Sequence, residues 1–113
     1  MEIKRFNIDI LKPTDLFLRR SSLAFLESTF PLLREIEPPE VWEINHNFYI
    51  ADGHNQIFDL YVRNKKEVTA NYLSRANCKV GPEVYESIID DIMKKRKIAE
   101  RFRFNHVADL PII

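Results

Sequence analysis

The sequence contains little cysteine and little glycine, and it has no excess of positive or negative charge. It contains one cysteine, Cys78, two glycines, and 17 Lys+Arg against 17 Asp+Glu. A single cysteine excludes an internal disulfide and favours a reducing compartment, so we expect a cytoplasmic protein. Because the net charge is zero, contact with nucleic acid requires a local basic patch. No apolar run approaches the roughly 20 residues of a membrane span, which predicts no membrane partner.

The patterns that are present indicate one α/β (α+β) domain over residues 1–113. Alternating or β-branched runs predict strands over 3–10, 41–44, 48–51 and 67–73, and an Asn-rich connection at 45–47 predicts a hairpin turn. Helical spacing predicts helices from about Ser21, over 31–36, over 54–64, and from Gly81-Pro82 onward. Strand 48–51, helix 54–64 and strand 67–73 have the order of a βαβ unit.

The organising feature of the chain is the turn at Gly53. Apolar residues of strand-like pattern lead into Asp52-Gly53, and helical spacing follows at once. A strand that turns on glycine into a helix aims the first helical N–H groups at one spot, where the helix dipole also favours an anion, typically a phosphate. The alternative is a plain helix N-terminus capped by Asp52.

The last predicted helix combines an apolar stripe with a basic second half. Its predicted buried residues are Val84, Ile88, Ile89, Ile92 and Met93. The run Lys94, Lys95, Arg96, Lys97 is a candidate DNA-binding surface, or a solvated helix end that matches the dipole. We expect the apolar tail at 110–113 to dock on the core or on a partner. His46 and His106 lack the spacing of a metal site, so no metal ligand is predicted from spacing.

Several short motifs, taken in order, resemble the ParB/sulfiredoxin superfamily. The segment Asp52-Gly53-His54-Asn55-Gln56 stands where that superfamily has signatures such as Asp-Gly-His-His-Arg. The flanking matches are Leu11-Lys12-Pro13, Pro38-Pro39-Glu40-Val41 and Lys65-Lys66-Glu67-Val68. The similarity covers residues 3–73 and leaves out the C-terminal helix, so the expected fold is a small mixed sheet with a βαβ unit and flanking helices, followed by that long helix.

The resemblance implies a nucleotide, such as ATP, ADP or CTP with Mg²⁺, bound at the Gly53 turn. In that case Gly53 allows close approach of the backbone, His54, Asn55 and Gln56 donate N–H groups to phosphate, and Asp52 holds the turn or a metal-bound water. Asp15 lies near the acidic base of the kinase-like relatives, which makes Asp15 and His54 the candidate catalytic residues of a phosphotransferase or nuclease-like phosphohydrolase. From the residues alone, Asp15 also suits a turn cap and His54 a solvated helix start.

Two departures from the superfamily pattern bear on this expectation. His54 stands where sulfiredoxins have the reactive cysteine, so reduction of sulfinic acid is not expected. Gln56 stands where most relatives have arginine, and losing a charge-assisted contact costs on the order of 1–2 kcal/mol of phosphate binding. Either another lysine or arginine compensates, or the protein is a non-catalytic module that binds DNA or a protein partner.

Overall fold

The computed structural model describes residues 2–29 and 37–113, so the helix predicted over 31–36 lies outside the described residues. The strands are β1 (Glu2–Asn7), β2 (Leu11–Lys12), β3 (Glu40–Ile44), β4 (Asn47–Asp52) and β5 (Glu67–Leu73). The helices are α1 (Arg20–Thr29), α2 (His54–Val62) and α3 (Pro82–Arg101), with 3₁₀ turns at Ile8–Ile10 and Val107–Asp109. These elements confirm the predicted α+β class and the long C-terminal helix.

The five strands form one mixed sheet in the order β1-β5-β3-β4-β2. β3 pairs antiparallel with β4 and parallel with β5, and β2 pairs parallel with β4. The predicted βαβ unit is therefore wrong in its pairing, because β3 lies between β4 and β5 and makes these two strands antiparallel. The parallel neighbours joined by the α2 crossover are β3 and β5. The β3–β4 hairpin comes first in the sequence. Helix α2 then brings the chain back to the other edge of β3, where β5 pairs.

The β3–β4 hairpin closes through a two-residue turn, Asn45-His46, which is one residue shorter than predicted. Both residues have positive φ, 50° and 65°. This is the backbone of a type I′ turn, whose twist matches that of the strands, and asparagine tolerates it better than most residues. The register that results pairs Ile44 with Asn47 and Trp42 with Tyr49.

The two faces of the sheet carry separate cores because side chains alternate along each strand. On one face Val41 and Ile50 join a cluster that includes Leu11, Leu18 and Ile57, and α2 packs there. On the other face Trp42 and Tyr49 pack with Ile92 of α3. The prediction that Ile92 is buried is confirmed, whereas the prediction for Val84 is wrong, because its side chain is 52% exposed.

The C-terminal tail docks on the chain itself. Leu18 N–H donates to Pro111 O at 2.7 Å, Ile113 N–H donates to Leu18 O at 2.9 Å, and Arg20 N–H donates to Ile113 O at 2.8 Å. Leu18 and Ile112 thus form a short parallel bridge just before α1. This confirms one of the two expectations for the tail, docking on the core.

Among the described residues, no helix is both long enough and apolar enough to cross a membrane.

Candidate functional site

Gly53 adopts a left-handed conformation, with φ 92° and ψ 24°, directly before α2. A Cβ atom at this position would lie 2.7 Å from Pro39 Cβ and 2.8 Å from Pro39 Cα. Pro39 cannot easily retreat, since its carbonyl accepts the Asn71 N–H of β5 at 2.8 Å. Glycine is therefore required at position 53 both by its φ and by the packing of Pro39. The close approach expected for a phosphate is, in this structure, made by a proline.

The neighbours of Gly53 shape the turn from both sides. Asp52 Oδ1 accepts the Gly53 N–H at 2.9 Å, so the predicted role of Asp52 in holding the turn has a direct contact. Gln56 Nε2 donates to Glu37 O at 2.9 Å, and its Oε1 lies beside Gly53. The Gln56 side chain therefore ties α2 to the segment that leads into β3, and part of its donor capacity is used there.

Residues 13–19, which we call the site loop, lie between β2 and α1 and carry Asp15. The loop has no helix, and its one strand-like contact is the bridge at Leu18. The structure nevertheless brings Asp15 and His54 together, with His54 Nδ1 3.2 Å from Asp15 Oδ2. Both residues were predicted for one site from the motif resemblance, although 39 positions separate them along the chain.

His54 is 2% exposed and both of its ring nitrogens have partners inside the protein. Nε2 accepts the backbone N–H groups of Thr14 at 2.9 Å and Asp15 at 3.2 Å. Because Nε2 is the acceptor, the proton of the neutral ring is on Nδ1, from which it is donated to the Asp15 carboxylate. His54 therefore has no free nitrogen to offer a substrate. The expectation of a solvated His54 is wrong, because the ring is buried and both of its nitrogens contact Thr14 or Asp15.

Burial lowers the pKa of His54 to about 4, although the carboxylates of Asp15 and Asp52 raise it. Desolvation is the larger effect because the ring lies in the interior, whereas the Asp15 side chain is 50% exposed. The pair therefore consists of a neutral imidazole and an accessible carboxylate at neutral pH. Asp15 is left as the group that can contact a ligand.

Other elements hold the site loop at additional points. Thr14 Oγ1 donates to Ile50 O of β4 at 2.6 Å, and Arg96 of α3 donates to Pro13 O at 2.9 Å. Asn55 Oδ1 accepts the Arg19 N–H at 3.0 Å, which joins the end of the loop to the first turn of α2. The loop is thus fixed by contacts from β4, α2, α3 and the tail. An irregular segment held in this way can present Asp15 in one orientation.

Two open hollows meet at Asp15 and Asn55. The first, which we call the acidic hollow, has a volume of about 400 Å³, and its lining includes Asp15, Asp52, Gly53, Ser21, Ser22, Phe25 and Gln56. The second, which we call the basic hollow, has a volume of about 310 Å³ and is lined by Thr14, Asp15, Leu16, Phe17, Arg19, Asn55 and Lys95. The start of α2 lies between them. The predicted turn residues, Asp52 to Gln56, therefore line open space.

The predicted basic surface of α3 consists of one buried residue and three exposed residues. Arg96 is 2% exposed, and its guanidinium donates to Pro13 O, to Phe104 O at 2.7 Å and to Asn105 Oδ1 at 2.9 Å. Including Arg96 among DNA-binding residues was wrong, because its donors satisfy buried carbonyls. Lys94 and Lys97 are exposed, and Lys95 lines the basic hollow.

Sequence reasoning assigned no site role to Thr14, Ser21 or Ser22, and it missed the place of Lys95 beside Asp15. Lys95 lies 80 positions from Asp15 on a helix that the motif resemblance does not cover. Its spacing within a basic run gives no sign of which lysine faces a hollow. The period of α3 does offer a signal, since Ile92, Arg96 and Ala99 are its buried positions and Lys95 borders that face.

No described group of three or more His, Cys, Asp and Glu residues could hold a metal ion by itself. Asp15 and Asp52, however, both line the acidic hollow. Mg²⁺ is commonly bound by one or two carboxylates together with ligand phosphates, so these residues fit a magnesium ion that arrives with a phosphate. Cys78 packs with the cluster under α3 on the other face of the sheet, away from the Gly53 turn.

No protein-family model matches the sequence, and no curated protein matches it. Several solved structures are similar in fold. Protein Atu1540 from Agrobacterium tumefaciens has a TM-score of 0.66 at 16% identity, over 99% of this chain and 62% of that one. A conserved hypothetical protein from Pyrococcus furiosus has a TM-score of 0.51 at 21% identity, over 66% of this chain and 33% of that one.

The third is sulfiredoxin from Arabidopsis thaliana, with a TM-score of 0.51 at 10% identity, over 79% of this chain and 98% of that one. The chain thus spans less than two thirds of the first two proteins and almost all of the sulfiredoxin. At these low identities the similarity supports a shared fold. It does not transfer the activity of these proteins to this chain. The architecture expected from the Gly53 motif is confirmed: the chain has the ParB/sulfiredoxin fold.

Proposed function

We propose that the protein binds a nucleoside phosphate, ATP, ADP or CTP, where the site loop meets the Gly53 turn, and acts on it as a phosphotransferase or phosphohydrolase. The observation that supports this most is the Asp15 carboxylate, held by His54 at the junction of two hollows where α2 begins. A helix start favours a phosphate, and a carboxylate of fixed orientation beside it suits proton transfer.

Asp15 is the general base in this proposal. Its exposed oxygen accepts the proton of an attacking hydroxyl or water, and the Nδ1–H of His54 keeps the other oxygen in place. His54 does not take the proton, because burial lowers its pKa to about 4. Phosphoryl transfer depends mainly on positioning and charge neutralisation, which matches a loop anchored from four sides.

A magnesium ion is part of the proposal. Asp52 would hold it at the acidic hollow together with phosphate oxygens, because the free oxygen of Asp15 serves as the general base, and a bound Mg²⁺ neutralises phosphate charge. Asp52 also accepts the Gly53 N–H at 2.9 Å, so its carboxylate is oriented before any ligand arrives.

Calorimetric titration and thermal shift with ATP, ADP, CTP and GTP, with and without Mg²⁺, test the proposal. A ligand at one hundred times its dissociation constant should add about 2.7 kcal/mol of stability. We expect one of these nucleotides to bind with Mg²⁺ and Asp15→Asn to abolish phosphate release or transfer. Asp90→Asn, on the exposed face of α3, is the matched control. Absence of binding by every nucleotide, or full turnover in Asp15→Asn, would rule out the proposal.

A second candidate function is a non-catalytic module that binds DNA or a protein partner through α3. It is favoured by the exposure of Lys94, Lys97 and Arg101 on the second half of that helix. Affinity for duplex DNA that falls steeply with salt and drops in Lys94→Gln/Lys97→Gln would support it. Unchanged affinity in the double variant would remove α3 as the binding surface.

A further inference from the structure

The basic hollow brings together two cationic residues from elements far apart in the chain. Arg19 ends the site loop, and Lys95 lies in the second half of α3. We propose that Lys95 and Arg19, with Asn55 between them, form the binding site for the phosphate chain of the nucleotide. This inference rests on the proposed function and says where the ligand's negative charge lies.

Gln56, at the place where the superfamily motif has arginine, is poorly suited to hold that charge. Its Nε2 donates to Glu37 O, and its amide carries no charge. The acidic hollow that Gln56 lines also contains the carboxylates of Asp15 and Asp52, and its described lining contains no lysine or arginine. A phosphate without a bound metal ion would be repelled by these carboxylates. Its negative charge is better accommodated in the basic hollow, on the other side of Asn55.

Asn55 is already oriented to donate toward an anion. Its Oδ1 accepts the Arg19 N–H at 3.0 Å, which leaves Nδ2, with its two hydrogens, on the opposite branch of the amide. That nitrogen, the Lys95 ammonium and the Arg19 guanidinium are three donors from three elements around one hollow. An arginine fork binds two phosphate oxygens, and a lysine adds a mobile point charge.

Two carboxylates lie beside this site, those of Asp15 and Asp91, and each has a partner among the described contacts. Asp15 lines the basic hollow, but one of its oxygens faces the Nδ1–H of His54. Lys95 also forms an ion pair with Asp91 at 3.1 Å, with both side chains more than half exposed. Such exposed pairs are weak, so the ammonium can contact a phosphate without a large penalty. The positive charge of Lys95 also lowers the pKa of His54, in line with a position facing the site.

The basic hollow offers cationic residues that could compensate for Gln56 at the place of the motif's arginine. An arginine missing from the first turn of α2 is replaced in space by a lysine from α3 and an arginine from the site loop. We therefore expect nucleotide affinity to depend on a helix that the motif resemblance does not include. Because Arg19 and Lys95 are both exposed, their substitution should leave the fold intact.

Calorimetric titration of ATP, ADP and CTP with Mg²⁺ into wild type, Lys95→Gln, Arg19→Gln and Lys97→Gln tests the site. Lys97 carries the same charge on the same helix and, among the described residues, is not part of the hollow's lining. We expect the first two variants to weaken binding about tenfold or more and to reduce its salt dependence, with Lys97→Gln within about twofold of wild type. Lys95→Arg, which keeps the charge, should restore most of the affinity.

The outcomes separate this inference from the function on which it rests. Nucleotide binding by wild type with equal affinity in Lys95→Gln and Arg19→Gln would overturn the basic hollow as the phosphate site and leave the proposed function standing. Equal losses in Lys95→Gln and Lys97→Gln would show a diffuse charge effect, and would overturn it as well. Failure of wild type to bind any of the three nucleotides would remove both.

Discussion

The Gly53 turn and the site loop lie side by side but are built in opposite ways. The turn consists of consecutive residues, with an Asp52 contact to the next backbone N–H and a left-handed glycine at the start of a helix. The site loop has almost no contacts of its own and is held by residues 36 to 95 positions away. A local turn tolerates distant change, whereas a loop held from outside loses its shape when one distant anchor is removed.

The largest expected effect comes from the anchor of the loop on α3. Arg96→Met should lower the free energy of unfolding by about 3 kcal/mol or more, because it leaves the buried Pro13 carbonyl and the partly buried Phe104 carbonyl without their donor. Urea denaturation followed by circular dichroism measures the change. Lys97→Met, on an exposed position of the same helix, should change it by less than about 0.5 kcal/mol. Similar values for both variants would mean that Arg96 does not hold the loop.

Substitution of Gly53 tests the conformation of the turn. Gly53→Ala should cost about 2–3 kcal/mol, because φ is 92° and the new Cβ would lie 2.7 Å from Pro39 Cβ. Gly81 is the natural control, since a Cβ there meets no heavy atom within 4 Å. Gly81→Ala should cost less than about 1 kcal/mol. The same denaturation experiment distinguishes them, and equal costs would contradict the packing of Pro39 on the turn.

His54 begins the helix after the turn and contacts the site loop, so its protonation should weaken the contact between the two regions. Burial lowers its pKa from 6.5 unfolded to about 4 folded, so the stability that the neutral ring contributes is fully present above pH 6.5. It is lost progressively as the pH falls toward 4, by about 2 kcal/mol between pH 7 and pH 5. His54→Gln keeps an acceptor for the loop amides but does not titrate.

The difference in stability between wild type and His54→Gln should therefore narrow from pH 7 to pH 5, as measured by urea denaturation at each pH. A constant difference across this range would mean that the buried ring is not neutral in the fold.

The smallest effect is expected at the anchor from β4. Thr14→Val removes the hydroxyl that donates to Ile50 O at 2.6 Å and should cost about 1 kcal/mol. Thr69→Val, on an exposed position of β5, makes the same change without a buried partner and should be nearly neutral. If both variants have the same thermal midpoint, the hydroxyl adds nothing to the anchoring of the loop.

The features that sequence patterns predicted well are those built from neighbouring residues. The hairpin, the helix after Gly53 and the long helix after Gly81-Pro82 follow from turn residues, periodicity and helix-start signals that act within a few positions. The Asp52 contact at the turn is of the same kind. The motif resemblance supplied the fold, since the order of short elements identified an architecture that pairing rules alone did not.

The features that were predicted wrongly depend on which elements meet. Strand order placed β3 between β4 and β5, packing buried Arg96 and left Val84 exposed, and His54 entered the interior where a solvated residue was one expectation. A basic run or a histidine has the same local pattern whether it is buried or exposed. The folded chain brings the Pro13 carbonyl from 83 positions away to the Arg96 guanidinium, and the turn after α3 adds the Phe104 carbonyl and Asn105 Oδ1, so the buried guanidinium has partners.

Sequence patterns were sufficient for the α+β class and the glycine turn before α2, and the motif resemblance added Asp15 and His54 as candidate residues. The folded chain was needed to show that Asp15 and His54 are in contact, that the histidine is buried, and that Lys95 lines the same hollow as Arg19. The physical reason is range. Turns and helix starts are selected by backbone energies over a few residues, whereas protonation, burial and charge pairing depend on groups that only the folded chain brings within a few ångströms.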